Sequence, residues 1–245
     1  MTIFREQILE RERRLLVLSA LVLSTMLSLG LLAARWALAG HLAFRFLIWN
    51  LFLAWIPFGL ACMVYYAHLS RSRHRVWMVV LGILWLLFFP NAPYLWTDLV
   101  HLRRGQPGTA WWCDLVMALS FGWNGMLLGL LSLYLIQRVV LERVGRWWGW
   151  ATVAVALGLG SFGISLGRFD RFNSWDVFSK PVELLINTAD ELLHPISHPL
   201  PFAIAGLFFA FLALAYLTLL ALMGLERSDI LRSRPPKREW LPSTR

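Results

Sequence analysis

Six apolar stretches set the terms for this chain. Five run for about 20 residues or more and one is cut short by prolines: about 15–36, 43–67, 76 to Pro90, 111–137, 148–168 and 200–224. Some 20 apolar residues in helical form cross the hydrocarbon core of a bilayer, and no soluble fold repeats that length six times. Composition agrees. The 245 residues are 58% hydrophobic and 15% charged, which is more apolar surface than one soluble core can hide and too little charge for a disordered chain. The expected fold is all-α, a polytopic membrane protein of about six transmembrane helices. Its third helix is broken, and an amphipathic helix lies at the outer interface. The expected organisation is a cytoplasmic segment 1–14, a single six-helix domain 15–224 and a basic cytoplasmic tail 225–245. The first span ends near Ala37-Leu38-Ala39, which resembles a signal cleavage site. It exceeds the usual h-region of about 7–15 residues, and Arg35 and Trp36 interrupt it, so it reads as a retained anchor.

Orientation follows from the cations. With the N-terminus inside, sixteen of the 23 Lys and Arg fall on that side and seven on the other. That bias is the positive-inside pattern and puts both termini in the cytoplasm. It also accounts for the net charge of +9 without a nucleic-acid partner. Membrane lipids are the expected partners, and nothing in the sequence names a protein partner. Cys62 and Cys113 fall at opposite ends of their spans, too far apart for a disulfide.

The polar residues share one depth. Arg45, Asn50, Asn91, Asp98, His101 and Asp114 lie in the outer half or at the outer rim, as do Ser161, Ser165, Arg168 and the acidic and basic residues that follow. Asn124 lies near the midplane and has the reach to bond a neighbouring helix, and the inner halves read as almost purely apolar. Ionisable groups at membrane depth are costly and mark function by default. Polar groups from five segments at one depth point to a common site opening outward.

Two stretches carry most of that site. The first is Pro90-Asn91-Ala92-Pro93-Tyr94 with Thr97-Asp98-Leu99-Val100-His101-Leu102. About 14 residues precede Pro90, roughly 21 Å of helix, so the break falls within the membrane. Asn91 is placed to cap a new helix in which Tyr94, Asp98 and His101, at i, i+4 and i+7, share a face. Such a break is tolerated where it lines a cavity or is buried in protein; a plain proline kink with Asp98 and His101 in water is the other reading. The second stretch is Ser161 to Asp176. Ser161, Ser165 and Arg168 form one polar face, Gly160, Gly163 and Gly167 allow close helix contact, and Arg168, Asp170, Arg171, Asn173, Trp175 and Asp176 follow. These form either an ion-paired loop or, through the guanidinium forks, an anion-binding group. Arg45 reads as a snorkelling residue, and Asp114, beside Trp111 and Trp112, as a rim residue.

Pro181 opens a stretch, 181–193, with Val182, Leu185, Ile186, Ala189 and Leu193 on one stripe. It reads as the amphipathic interfacial helix or as a lid over the span ends. The cofactor is not named by the sequence. A divalent metal is one reading, with Asp98, His101, Asp170 and Asp176 as candidate ligands and Asp114 as a further oxygen donor. The sequence contains no HExxH and no paired-cysteine motif.

Three blocks resemble a known family. They are Trp49-Asn50-Leu51-Phe52-Leu53-Ala54-Trp55-Ile56-Pro57, the Pro90–Leu102 stretch, and Gly167-Arg168-Phe169 with Arg171-Phe172-Asn173-Ser174-Trp175-Asp176. They are similar to the signature blocks of the domain of unknown function 1361 family, over roughly residues 15–225. The resemblance implies a multi-pass membrane protein of the bacterial inner membrane and brings no activity with it. From the residues, the leading expectation is an enzyme acting at the outer, periplasmic face on a lipid or lipid-linked anionic substrate. Asp98 and His101 would be catalytic, and Asn91, Tyr94, Arg168, Arg171, Asn173, Trp175 and Asp176 would bind substrate. A transporter component and an assembly or scaffold protein are the alternatives. The broken third helix favours transport, and the apolar inner half opposes it.

Overall fold

A computed structural model describes residues 2–70, 75–104, 108–169 and 199–223, together with Ser179 and Val182. The described chain is helical throughout, and six of its helical spans are long and apolar enough to cross a membrane. They are α1 (Thr2–Ala39), α2 (Phe46–Leu69), a composite third span, α5 (Trp111–Arg143), α6 (Arg146–Phe169) and α7 (Pro199–Leu222). The composite span is α3 (Arg75–Phe88), one turn of α4 (Asn91–Tyr94) and a 3-10 helix over Leu95–Arg104. The tail 224–245 and most of 170–198, which hold the expected interfacial helix 181–193, lie outside the described residues.

Short connections make successive helices antiparallel. One end of the bundle therefore gathers the last turn of α1, the first turns of α2 and α5, the 3-10 helix and the last turn of α6. We refer to it as the Asp98 end. The opposite end, the Arg138 end, gathers Arg14, Tyr65, the start of α3, Arg138 and Met223. Cys62 belongs to the Arg138 half and Cys113 to the Asp98 end, and both are free. Gly40 (φ 69°) closes α1 and Gly145 (φ 120°) turns α5 into α6, both in the left-handed region that glycine enters without strain.

Helix α5 is the axis. Its 33 residues reach roughly 50 Å, and most of it is covered by α2, the third span, α6 and α1. Helices α1 and α7 are peripheral. Leu15, Leu16, Leu23, Met26, Leu207 and Leu214 on them are exposed and form the apolar surface a bilayer would cover. Lipid is as apolar as these side chains, so helix association here rests on close packing and hydrogen bonds. Packing is closest around the break in the third span. A methyl group at Gly125 would overlap the Ala92 carbonyl oxygen, and one at Gly163 would lie 2.9 Å from Pro90 Cγ. The glycines of α5 and α6 thus form the two sides of a slot that receives Phe89–Leu95. The small residues of α6 were legible as packing positions; the Gly122, Gly125, Gly129 series of α5, which meets Trp96, Leu95 and Ala92, was not singled out.

The halves of the spans toward the Arg138 end are less apolar than their sequence suggests. Tyr216 on α7 donates to Gln137 Oε1 on α5, both fully buried. Trp85 on α3 donates to Ser132 Oγ on α5 at 3.1 Å. Each residue sits alone in an apolar run, so only the pairing across helices reveals it. Asn124 does bond across helices, as expected at the midplane: its amide and Trp55 Nε1 both donate to Thr25 Oγ1, at 2.9 and 3.2 Å.

Candidate functional site

The site begins with the break. Past Phe88 the backbone tightens: the Ala92 N–H bonds to the Phe89 carbonyl, three residues back, at 3.2 Å. The Phe88 carbonyl therefore loses its usual donor four residues on. Asn91 supplies another, with its side-chain amide donating to Phe88 O at 3.0 Å. The expected capping role of Asn91 is therefore corrected. Pro90 holds the cap position with helical φ and ψ and no side-chain cap, and Asn91 mends the end of the helix before the break.

Beyond the break the chain winds as a 3-10 helix for ten residues, where runs beyond 3–4 are uncommon and often mark a strained or functional segment. At three residues per turn, side chains three apart eclipse. Leu95, Asp98 and His101 therefore form one row, the first two buried and the last half-buried. Tyr94 and Thr97 fall on the adjacent row. The expectation that Tyr94, Asp98 and His101 share a face assumed 3.6 residues per turn and is corrected here. Local carbonyls are held by side chains as well: Thr97 Oγ1 donates to Tyr94 O at 2.7 Å.

Asp98 is the centre, at 3% exposure. Asn50 on α2 donates its amide to Asp98 Oδ2 at 2.8 Å. Arg168 on α6 approaches from the other side, with Nη1 3.6 Å from Asp98 Oδ1 and Nη2 donating to the Thr97 carbonyl at 2.8 Å. The guanidinium carbon stands 6.0 Å from the Tyr94 ring centroid, and the Tyr94 hydroxyl reaches Gly167 O at 3.5 Å. His101 Nδ1 lies 3.2 Å from the Asp98 carbonyl oxygen and 3.9 Å from Oδ1. Both atoms accept, so the arrangement places the imidazole proton on Nδ1 and the ring lone pair on Nε2. The ring also packs on Phe46 at 4.8 Å.

Four of the expected residues, Tyr94, Asp98, His101 and Arg168, thus meet at one place. Asn91 stands at the break below them. Asp170, Arg171, Asn173, Trp175 and Asp176 lie outside the described residues. Asn50, which the sequence placed at the same depth as Asp98 without naming it as a site residue, joins the four that meet. The site thus offers a buried carboxylate in a fixed orientation, an imidazole beside it at the half-exposed edge, and a guanidinium fork whose side chain is 20% exposed. Among the described residues, no three His, Cys, Asp or Glu gather as a metal would require.

Asp114 does not join this group: it stands in the first turn of α5, at the end of the span as expected, but faces inward instead of outward. It is 4% exposed and closed in a second cluster. Arg35 on α1 donates to it twice, Nε to Oδ1 at 2.8 Å and Nη2 to Oδ2 at 3.4 Å. Thr109 Oγ1 adds a third bond at 3.0 Å. Arg35 is itself 3% exposed, with its guanidinium carbon 5.0 Å from the Phe44 ring centroid. Phe44 has φ 61°, an uncommon backbone state for a bulky residue, and the cluster holds it there. Ser165 is also structural, donating to the Pro201 carbonyl at 3.1 Å and tying α6 to α7.

No curated protein and no solved structure matches the chain. A sequence profile of the family described as "Protein of unknown function (DUF1361)" matches residues 49–222, a range that holds Asn50, the broken third span and Arg168, and the chain belongs to that family.

Proposed function

We propose that the Asp98 end is the outer, periplasmic face of a bacterial inner-membrane protein, and that the protein is an enzyme acting there on a lipid or lipid-linked anionic substrate. The observation that carries this reading is the contrast between a buried carboxylate, Asp98, fixed by Asn50 and Arg168, and the half-exposed imidazole beside it. A fixed acid beside an accessible base suits proton transfer to or from a bound group. His101 Nε2 is the atom that takes or gives the proton, and Asp98 orients the ring and balances its charge when protonated. Arg168 spends one nitrogen on Thr97 and leans another toward Asp98, and its remaining donors are suited to an anionic headgroup. From the sequence alone, Arg171, Asn173, Trp175 and Asp176, which follow Arg168 in the chain, are assigned to substrate binding, and Asp98, His101, Asp170 and Asp176 are the candidate ligands for a divalent metal. The sixteen-to-seven bias of cations toward the Arg138 end supports this orientation.

The test is a lipid and glycolipid mass profile of the envelope in strains lacking the gene, carrying the wild type, or carrying Asp98→Asn at equal level. A species that shifts on deletion and returns only with wild type supports an enzyme, and its mass difference identifies the group transferred. One observation favours a second reading, a scaffold: at 3% exposure Asp98 has partners on two other helices. On that reading Asp98→Asn lowers protein yield and leaves every lipid species unchanged.

A further inference from the structure

The Arg138 end contains a cavity of about 650 Å³ between α1, α2 and α5, separate from the Asp98 site. Its floor is apolar, with Phe58, Cys62 and Leu131, and its upper wall carries Arg14, Arg138 and three tyrosine rings. Among the described residues no carboxylate lines it, and Glu142 meets Arg138 from outside the lining. Arg14 lies over the Tyr65 ring, 5.4 Å from its centroid, with Nη2 3.4 Å from the hydroxyl oxygen. Arg138 Nη1 reaches the Tyr134 hydroxyl at 3.3 Å, while its Nε is held by Glu142 at 2.9 Å. Both guanidinium groups are therefore oriented before any ligand arrives. Leu16 and Val17, which also line the cavity, stand on the exposed apolar face of α1, so the cavity opens sideways toward the bilayer.

We propose that this cavity is a binding site for one anionic phospholipid. Its phosphate sits between Arg14 and Arg138, and an acyl chain follows the floor and leaves past Leu16. A soluble anion would use the arginines and leave the apolar floor empty; a zwitterionic lipid would use the floor and bring its own cation up against the two guanidinium groups. Basic pockets between transmembrane helices hold acidic headgroups in this way.

The experiment is native mass spectrometry of the full chain in detergent with phosphatidylglycerol or phosphatidylcholine added. Wild type should retain phosphatidylglycerol over phosphatidylcholine by about tenfold, and R14Q/R138Q should lose that preference. Arg143→Gln removes a cation at the same end that pairs with His68 and does not line the cavity; it should leave retention unchanged. Cys62→Phe keeps both arginines and fills the floor, so it should also lower retention, and it decides the matter if the double variant does not fold. Equal retention of the two lipids, equal loss in Arg143→Gln, or release of the lipid by millimolar glycerol phosphate would each overturn the proposal. The last of these would mark a site for a free anion.

Discussion

Two carboxylates lie buried near the same end of the bundle, each facing an arginine from a distant helix, yet they are built differently. Asp114 is gripped by Arg35 through two hydrogen bonds and by Thr109 through a third, and both partners of the ion pair are sealed from solvent. Asp98 takes its one short side-chain bond from a neutral amide, keeps its arginine at 3.6 Å, and has an imidazole at the accessible edge. The first carboxylate takes three hydrogen bonds and is closed off by burial. The second is oriented by fewer. A buried ion pair is costly to assemble and more costly to halve, so the sealed pair is best understood as a fastener of α1 to α5. The looser one retains the freedom that chemistry needs.

The comparison breaks most visibly at Arg35. Arg35→Gln leaves Asp114 charged and buried, and should cost about 3–5 kcal/mol, measured as loss of folded protein in a thermal or denaturant series in detergent. The double replacement R35M/D114L should recover most of that loss, because removing both charges removes the uncompensated one. If the double variant is as unstable as the single, the pair is more than a fastener.

Next in size is the slot that holds the broken span. Gly125→Ala should cost about 1–3 kcal/mol by overpacking against Ala92, read in the same series. It should also disturb the Asp98 site, since Ala92 lies one row-step below Leu95. Asp98→Asn should be milder in stability, about 1 kcal/mol, because Asn50 keeps a carbonyl acceptor. A loss as large as that of Arg35→Gln would make the two carboxylates alike. The smallest effect belongs to the exposed pair at the opposite end. Glu142→Gln removes the charge and one of the two acceptor oxygens that meet Arg138 and His68, and should shift stability by under about 1 kcal/mol.

Much of this architecture is written in the sequence because a bilayer prescribes length: the six spans and the break at Pro90 follow from apolar runs and one proline pair. The meeting of Asp98, His101 and Arg168 was also legible, since equal depth on different helices was the clue. What was not legible is lateral. Arg35 and Asp114 are 79 positions apart; Asp114 stood beside two tryptophans that made it look like a boundary residue, and Arg35 read only as an interruption at the end of the first span. Nothing in a linear reading tells which of several helices is the neighbour. The 3-10 winding was hidden for another reason. Residues Leu95 to Arg104 carry no glycine or proline, and the side chains that take up carbonyls where the winding begins, Thr97 on Tyr94 O and Arg168 on Thr97 O, are matched to them only in three dimensions.

That winding has an arithmetic consequence. In a coil of three residues per turn, each inserted or deleted residue swings everything beyond it by about 120°, and three together restore the original direction while changing the reach by about 6 Å. Between Pro93 and Asp98 the aim of the carboxylate and its depth in the bilayer are therefore separable quantities. The segment could be lengthened or trimmed by triplets and still present its acid toward Asn50, whereas a single added residue would turn it onto the flank now held by Thr97 or by Leu99.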